Sequence, residues 1–512
     1  MELLFGDCLA SSCYAAGNRH TELDPERAMS DQRDTNQVPP REGSLSRRDV
    51  VRLGFAGMGA ALVGGRPLAN AAHDQISTNT YQIPRWTGPQ ALDRGAEIGP
   101  APAELRAAQP IEEVRIGFVG TGGMGTAHVR NLARIKGCLV AAVCDIDVSN
   151  AERAAEIVRS AGHPPPALFT RGDEDFRRLC EADDLDLVYT ATPWRWHVPV
   201  CLAAMEAGKH AVSEVPIAVT VEDCWRLVES AERNERHCIM MENVCYGRVE
   251  MMVLNLVRQG LLGEILHAEC GYLHDLREIK FADEGEGMWR RAHAMIRDGN
   301  LYPTHGLGPV SQCMNINRGD RFGYLVSMSS PSRGLQDWAR DHYEPGHPKR
   351  EEAFTLGDVN TSLIKTAKGR TIKVVHDTNL PRPYSRINML QGTRGIFQGY
   401  PDRVHIEGRS EGHAWDSAET YYEEFEHPLW RRLREDSANA GHGGMDFVED
   451  WRLVQCLREG IPYDIDVYDS VAWSAVSEIS ERSVAAGSAP VRFPDFTRGQ
   501  WKQYPPLGVV GG

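Results

Sequence analysis

The 12 cysteines of this chain form no C-x-x-C pair and no regular spacing, so neither a metal site nor a disulfide framework is indicated. Several of them (Cys144, Cys201, Cys238, Cys270) sit inside apolar runs, where cysteine behaves as a small core residue. No basic face offsets the net charge of -15, which argues against a nucleic-acid partner. No internal repeat is evident. The apolar run Leu53–Val63 is too short for a permanent membrane span. What remains is a chain of 512 residues, long enough for two or three domains with full cores.

The paired Arg47 and Arg48, the weakly hydrophobic run after them and the small residues Ala69, Asn70 and Ala71 resemble a twin-arginine export signal with its cleavage site. The plain alternative is a short amphipathic or buried helix. The stretch before Ser46 is long for such a signal, which leaves Met29 as an alternative start. Export by this route implies a periplasmic or extracellular destination. The expected organisation is an extension and signal over 1–71, a linker or surface arm over 72–110, a dinucleotide-binding domain over 111–246 and a substrate domain over 247–512.

The organising stretch begins at Val114. A β-branched, apolar run leads into Gly120, Gly122 and Gly125, the three glycines of a G-x-G-x-x-G, and a helical pattern follows. Each glycine has a mechanical role: the first turns the chain, the second lets a pyrophosphate approach, and the third lets helix and strand pack closely. A second strand ends in Asp145, whose carboxylate suits a ribose 2′-hydroxyl and repels a 2′-phosphate, so NAD is expected rather than NADP.

Alternating helices and strands then continue to about Tyr246, as in a parallel sheet that binds ligands at its strand carboxyl ends. One such end carries Trp194, Arg195, Trp196 and His197, expected just before a helix. These rings can flank a nicotinamide ribose or simply pack strand against helix. Glu214, Val215 and Pro216 close the next strand, and Asn243 falls at the end of the last.

In these motifs the chain resembles the Gfo/Idh/MocA group of sugar-handling NAD proteins, with one departure. The usual Glu-Lys-Pro is Glu214-Val215-Pro216, which removes the lysine that serves those dehydrogenases as proton shuttle. Together with Asn300, Tyr302, Pro303, Thr304 and His305, the set is similar to glycoside hydrolase family 109, the NAD-requiring α-N-acetylgalactosaminidases. The resemblance implies cofactor contacts at Gly120, Gly122, Met124, Gly125, Asp145, Trp194, Arg195, Trp196, His197, Glu214, Val215 and Asn243. It implies substrate contacts at Tyr272, Arg291, Tyr302, Pro303, Thr304, His305 and Tyr384, with His305, Tyr384 and Tyr302 as the acid/base residues and no metal.

The second half shifts toward alternating patterns near Glu264–Tyr272, Tyr324–Ser329, Thr361–Thr366, Thr371–Asp377 and Arg394–Gly399, with a hairpin turn between Thr366 and Thr371. The expected fold class is therefore α/β: a Rossmann domain followed by an α+β domain with an open, mostly antiparallel sheet. Helices near Asp446–Glu459 and Tyr468–Ala486 are expected at the margin of that sheet. Tyr302 and His305 read as loop residues, with Tyr384 held between prolines. The run Ala440–Asp446 reads either as a sugar-side loop carrying His442 or as a glycine-rich start to a helix.

The implied mechanism lends a hydride from sugar C3 to the bound cofactor, eliminates across C2 and C1, adds water and returns the hydride. In that scheme the tyrosines need neighbours such as Arg291 to lower their pKa. Nothing in the second half singles out a suitably spaced carboxylate pair for the two-acid alternative. The competing readings are an exported sugar or cyclitol oxidoreductase, with His305 in place of the missing lysine, and a non-catalytic sugar sensor. The partner in each is a small glycoside, glycan or sugar, and a homo-oligomer is compatible with all of them.

Overall fold

The computed structural model describes residues 92–438 and 440–509. The paired arginines, the apolar run and most of the expected arm lie outside them. From Leu92 to Pro110 the chain runs along the domain surface, anchored where Trp225 Nε1 donates to the Leu92 carbonyl and Tyr504 to that of Pro102.

The first sheet has six strands: β1 (Val114–Val119), β2 (Cys138–Cys144), β3 (Ala167–Phe169), β4 (Leu187–Thr190), β5 (His210–Ser213) and β6 (Cys238–Met240). All pairs are parallel, in the order β3-β2-β1-β4-β5-β6. This is the doubly wound dinucleotide arrangement, whose strand order reverses beside β1 and opens a crevice at the carboxyl ends. All strands but the exposed edge strand β3 are largely buried, β1 reading Val114, Ile116 and Phe118 at 0 % exposure, because helices cover both faces. These helices include α1 (Gly123–Leu132), α2 (Val148–Ser160), α3 (Trp194–Glu206) and α4 (Val221–Arg233). Thr220 caps α4 by accepting from the Asp223 N–H.

After α5 (Arg248–Arg258) a second sheet forms from β7 (Ile265–Leu273), β8 (Phe322–Ser329), β9 (Val359–Thr366), β10 (Thr371–Asp377), β11 (Met389–Gly392), β12 (Gly395–Gln398), β13 (Arg403–Ile406), β14 (Asp416–Ser417) and β15 (Val491–Arg492). Its order is β14-β13-β12-β11-β7-β10-β9-β8-β15, with β7 and β10 the parallel neighbours and the other pairs antiparallel. The hairpin between β9 and β10 turns where the sequence predicts. Helix α7 (Thr304–Cys313) lies between β7 and the first domain, and α6 (Gly287–Ile296) meets that domain where Trp289 packs on Trp194.

The last helices correct one expectation. α8 (Met445–Glu459) packs on α1, and α9 (Val467–Ser474) on α4 and β6, so both return to the dinucleotide domain. Only α10 (Val476–Ala485) lies on the second sheet, against β8. The reason is polar as well as apolar: Asp450 of α8 accepts from Asn131 of α1 at 3.0 Å, and Ser470 of α9 accepts from the Met240 N–H at 3.1 Å. The ten described cysteines are free and buried. Among the described residues no helix is long and apolar enough to cross a membrane, and no His/Cys/Asp/Glu group is arranged for a metal.

Burial also sets a pH response. Desolvation, with Lys280 and Arg290 nearby, depresses His376 to about 3, and desolvation depresses His427 to about 4. Below about pH 6.5 the unfolded chain binds protons at these rings while the folded chain does not. Stability is therefore lost as pH falls from about 6.5 toward 4, by about 1.4 kcal/mol per pH unit for each such ring. His376→Phe should flatten the slope of urea-unfolding stability across that window; an unchanged slope contradicts the assignment.

Candidate active site

Gly120 ends β1 at φ 85°, a left-handed conformation that suits glycine. Gly122 then caps α1 with no side chain on the first helical N–H groups. A Cβ at Gly122 would meet nothing, so open space lies over the helix start. At Gly125 the reverse holds: a Cβ would run into the Gly120 carbonyl oxygen and the Phe118 ring. Asp145 follows β2 and braces this loop, its Oδ2 accepting from Thr121 N at 2.6 Å and its Oδ1 from Asp147 N at 2.9 Å. Oδ1 keeps a lone pair for a further donor. Free helix-start N–H groups, an open cradle and an acidic strand end together fit a dinucleotide.

The run from Trp194 to His197 is the first turn of α3 rather than a loop before it, because Pro193 stands immediately ahead as the capping residue. Its members diverge. Trp194 is buried against Trp289, His293 and Tyr302, with ring centroids 4.7, 4.8 and 5.9 Å away. Arg195 pairs with Asp173 and lies over Trp196, which packs on Phe176. His197 spans the carbonyls of Thr192 and Pro216 at 2.7 and 2.8 Å and ties two strand ends together. Met124 is half-buried in the first turn of α1 and Val215 is buried beside Glu214.

Glu214 is bound to a residue that sequence patterning passes over. His128 of α1 reaches Glu214 at 2.7 Å through Nε2 and Asp450 at 2.9 Å through Nδ1. Burial alone would push this imidazole down, but a carboxylate on each nitrogen outweighs it and holds His128 charged. Asn243 donates to Asp446 at 2.7 Å, and Asp446 accepts from His442 at 2.8 Å. The Asn243 Oδ1 is buried without a partner, an acceptor available to a ligand donor.

On the second domain the aromatic residues converge. Gly306 of α7 packs on the Gly271 backbone of β7, so closely that a side chain on Gly306 would collide. This contact brings His305 beside Tyr272. The ring centroids lie 5.4 Å apart for Tyr272 and His305, 4.9 Å for Tyr302 and His305, 4.6 Å for Tyr272 and Tyr302, and 6.1 Å for Tyr272 and Tyr384. Thr304 and His305 open α7 after Pro303, where the sequence reads as a loop; a proline at that point prepares the helical φ. His274 joins the cluster, accepting from or donating to the Tyr272 hydroxyl at 2.9 Å and lying 5.0 Å from Tyr384.

Two findings revise the candidate set. Arg291 turns away from these rings: it pairs with Glu352 at 3.2 Å and donates to the Lys280 carbonyl. Arg290, one helical step earlier, is the arginine that meets them, its guanidinium 5.1 Å from the Tyr302 ring centroid and 5.3 Å from that of Trp194. Nor are the tyrosines activated as bases. Burial pushes the phenols of Tyr302 and Tyr384 up, more than Arg290 and Arg386 pull them down, so both stay protonated at neutral pH.

The residue missed altogether is Glu242. It follows β6, is 0 % exposed, and accepts from His305 Nδ1 at 2.7 Å. Nδ1 is thus engaged by Glu242, while the ring lies against Tyr272 and Tyr302. The sequence signal was available, an acid at a strand carboxyl end next to Asn243, but its partner lies on another domain.

Residues 246–503 match the model of the glycosyl hydrolase 109 C-terminal domain, and residues 114–242 that of the oxidoreductase family NAD-binding Rossmann fold. The chain belongs to glycosyl hydrolase family 109. Glycosyl hydrolase family 109 protein 1 of Shewanella sp. (strain MR-4) is 51% identical over 469 residues, 90% of this chain and 99% of that protein. A protein named alpha-N-acetylgalactosaminidase from Shewanella oneidensis is 50% identical over 410 residues, 79% of this chain and 89% of its own length. Among solved structures, a levoglucosan dehydrogenase in complex with NADH and levoglucosan is similar in fold, with TM-score 0.57 and 18% identity over 75% of this chain and 100% of that one. So is an inositol dehydrogenase homolog complexed with NAD+ from Azotobacter vinelandii, with TM-score 0.55 and 21% identity over 77% and 100%. This family 109 chain is thus a glycoside hydrolase built on an NAD-binding domain, with NAD as its cofactor.

Proposed function

We propose that this family 109 glycosidase removes terminal α-linked N-acetylgalactosamine, with His305 as its principal proton-transfer residue. The observation that carries the reading is the Glu242–His305 pair, 2.7 Å apart, inside a cluster of protonated phenols. When bound, NAD supplies a reversible hydride acceptor for sugar C3, which makes the neighbouring C2 proton acidic. His305 Nε2 takes and returns one of the two sugar protons that must move, at the C3 hydroxyl and at C2, the other passes to and from solvent water, and Glu242 on Nδ1 steadies the ring as it is protonated. Tyr302 and Tyr384, kept protonated by burial, act as hydrogen-bond donors to the sugar and the leaving oxygen. Arg290, braced by Glu286 at 2.5 Å and buried among Trp194, Trp289 and Tyr302, offers guanidinium donors to an N-acetyl carbonyl. His128 holds Glu214 at the cofactor crevice. Water adds at C1 where the aglycone leaves, so the sum is hydrolysis with no net oxidation.

The same reading accounts for the paired arginines of the N-terminal segment. Twin-arginine export carries folded proteins, and a cofactor restored in every cycle can travel inside one.

The test is an aryl α-N-acetylgalactosaminide turned over in deuterated water. The expected result is chromophore release, deuterium at C2 of the product and no net NADH. Release without C2 label sinks the elimination mechanism; NADH accumulation without release favours the oxidoreductase alternative.

A further inference from the structure

We infer that Tyr400, with Tyr384 beside it, forms a leaving-group subsite that packs against a sugar ring on the far side of the scissile bond. The inference rests on the glycosidase reading above and specifies the class of aglycone that site takes.

The placement follows from the second sheet. β11 and β12 pair with Met389 opposite Gln398, and Ser385 bridges to Leu273 at the end of β7. The segment carrying Tyr384 and the turn carrying Tyr400 therefore leave the sheet at one end, the end that presents Tyr272 and His274. The Tyr384 and Tyr400 ring centroids lie 6.2 Å apart, edge to face. Tyr384 and Tyr400 are 37% and 39% exposed, whereas Tyr272 and Tyr302 of the same cluster are buried.

The pair is mounted on a rigid base. The Arg386 guanidinium lies 5.5 Å from the Tyr384 ring centroid and 5.6 Å from that of Tyr400. Arg386 donates to the Tyr384 hydroxyl at 3.2 Å and is paired with the buried Glu250 at 2.7 Å. Glu250 also accepts from Asn388, and the Asn388 carbonyl accepts from Gly399 N at 2.9 Å, so the same buried charge pair braces both segments.

Tyr400 also holds a φ of 57°, a left-handed conformation that is costly for a tyrosine and easy for a glycine. Its hydroxyl makes no hydrogen bond among the described residues. No hydrogen bond asks for a tyrosine there, whereas the ring extends the aromatic cluster outward from Tyr384. Such an extension fits the C–H face of a pyranose, with the phenol oxygens left at the rim for its hydroxyls. A glycan whose next residue is a hexose would engage it, and an aglycone as small as methyl would not.

The experiment compares two substrates, methyl α-N-acetylgalactosaminide and α-N-acetylgalactosaminyl galactose, on NAD-loaded wild type, Tyr400→Gly and Tyr400→Phe. Tyr400→Gly removes the ring and relieves the backbone at once, so the fold is spared. The expected result is a fall of about tenfold or more in kcat/KM on the disaccharide and less than about twofold on the methyl glycoside, with Tyr400→Phe near wild type on both. An equal fall on both substrates, or no fall on the disaccharide, overturns the subsite. Wild type inert toward both substrates overturns the glycosidase reading itself, a different failure.

Discussion

Glu242→Gln is expected to lower kcat about a hundredfold while KM and bound NAD stay within about twofold of wild type. The carboxylate is wholly buried and shares one oxygen between the Val244 N–H and His305 Nδ1. Its other oxygen has no partner. Glutamine keeps the volume and an acceptor for Nδ1–H, so the ring orientation survives. What it removes is the negative charge that stabilises an imidazolium in the transition state. Because an uncompensated buried charge is costly to hold, neutralising it should leave the thermal midpoint unchanged or slightly higher. Loss confined to kcat in a fully folded, NAD-loaded protein is the signature of a positioning residue. A rise in KM with kcat intact, or a protein that no longer folds, would assign Glu242 to packing alone.

The second large effect separates two glycines that the motif treats alike. Gly122→Ala should fold as wild type, because nothing lies within 4 Å of the added methyl, yet lose NAD affinity by at least about a hundredfold, since that space is where a pyrophosphate must come. Gly125→Ala should fail earlier. Its methyl collides with the Gly120 carbonyl and the Phe118 ring, so α1 must lift off β1 at a cost of about 1–3 kcal/mol or more. Thermal melts of the two apo variants, beside absorbance of the NAD released on denaturation, read both outcomes. A Gly122→Ala protein that retains its dinucleotide would remove the cradle from the cofactor site.

These cases show what a linear reading can and cannot reach. The six parallel strands were legible because buried β-branched runs alternate with capped helices, and the glycine loop because each glycine answers a local geometric need. His305, Tyr302 and Tyr384 were reached through motif resemblance, and the structure brings them together around Tyr272. Arg290 and Arg291 differ by one residue and so by about a third of a helical turn, a rotation no pattern of apolar spacing resolved in so polar a stretch. Trp194 read as a strand-end residue, but Pro193 starts the helix there and turns its indole toward the other domain. Glu242 and His128 were passed over for a different reason: each acts through a partner 63 or more residues away. His128, in the middle of α1, looked like one polar position in an amphipathic helix.

The carboxylate and the imidazole of the central pair come from different halves of the molecule, Glu242 from the end of β6 and His305 from α7. A spread of a few ångströms between the halves would break their bond and leave the imidazole without its counter-ion. The pair therefore holds only while α7 stays seated on the turn that follows β6, so its geometry is set by packing between the halves and not by either half alone.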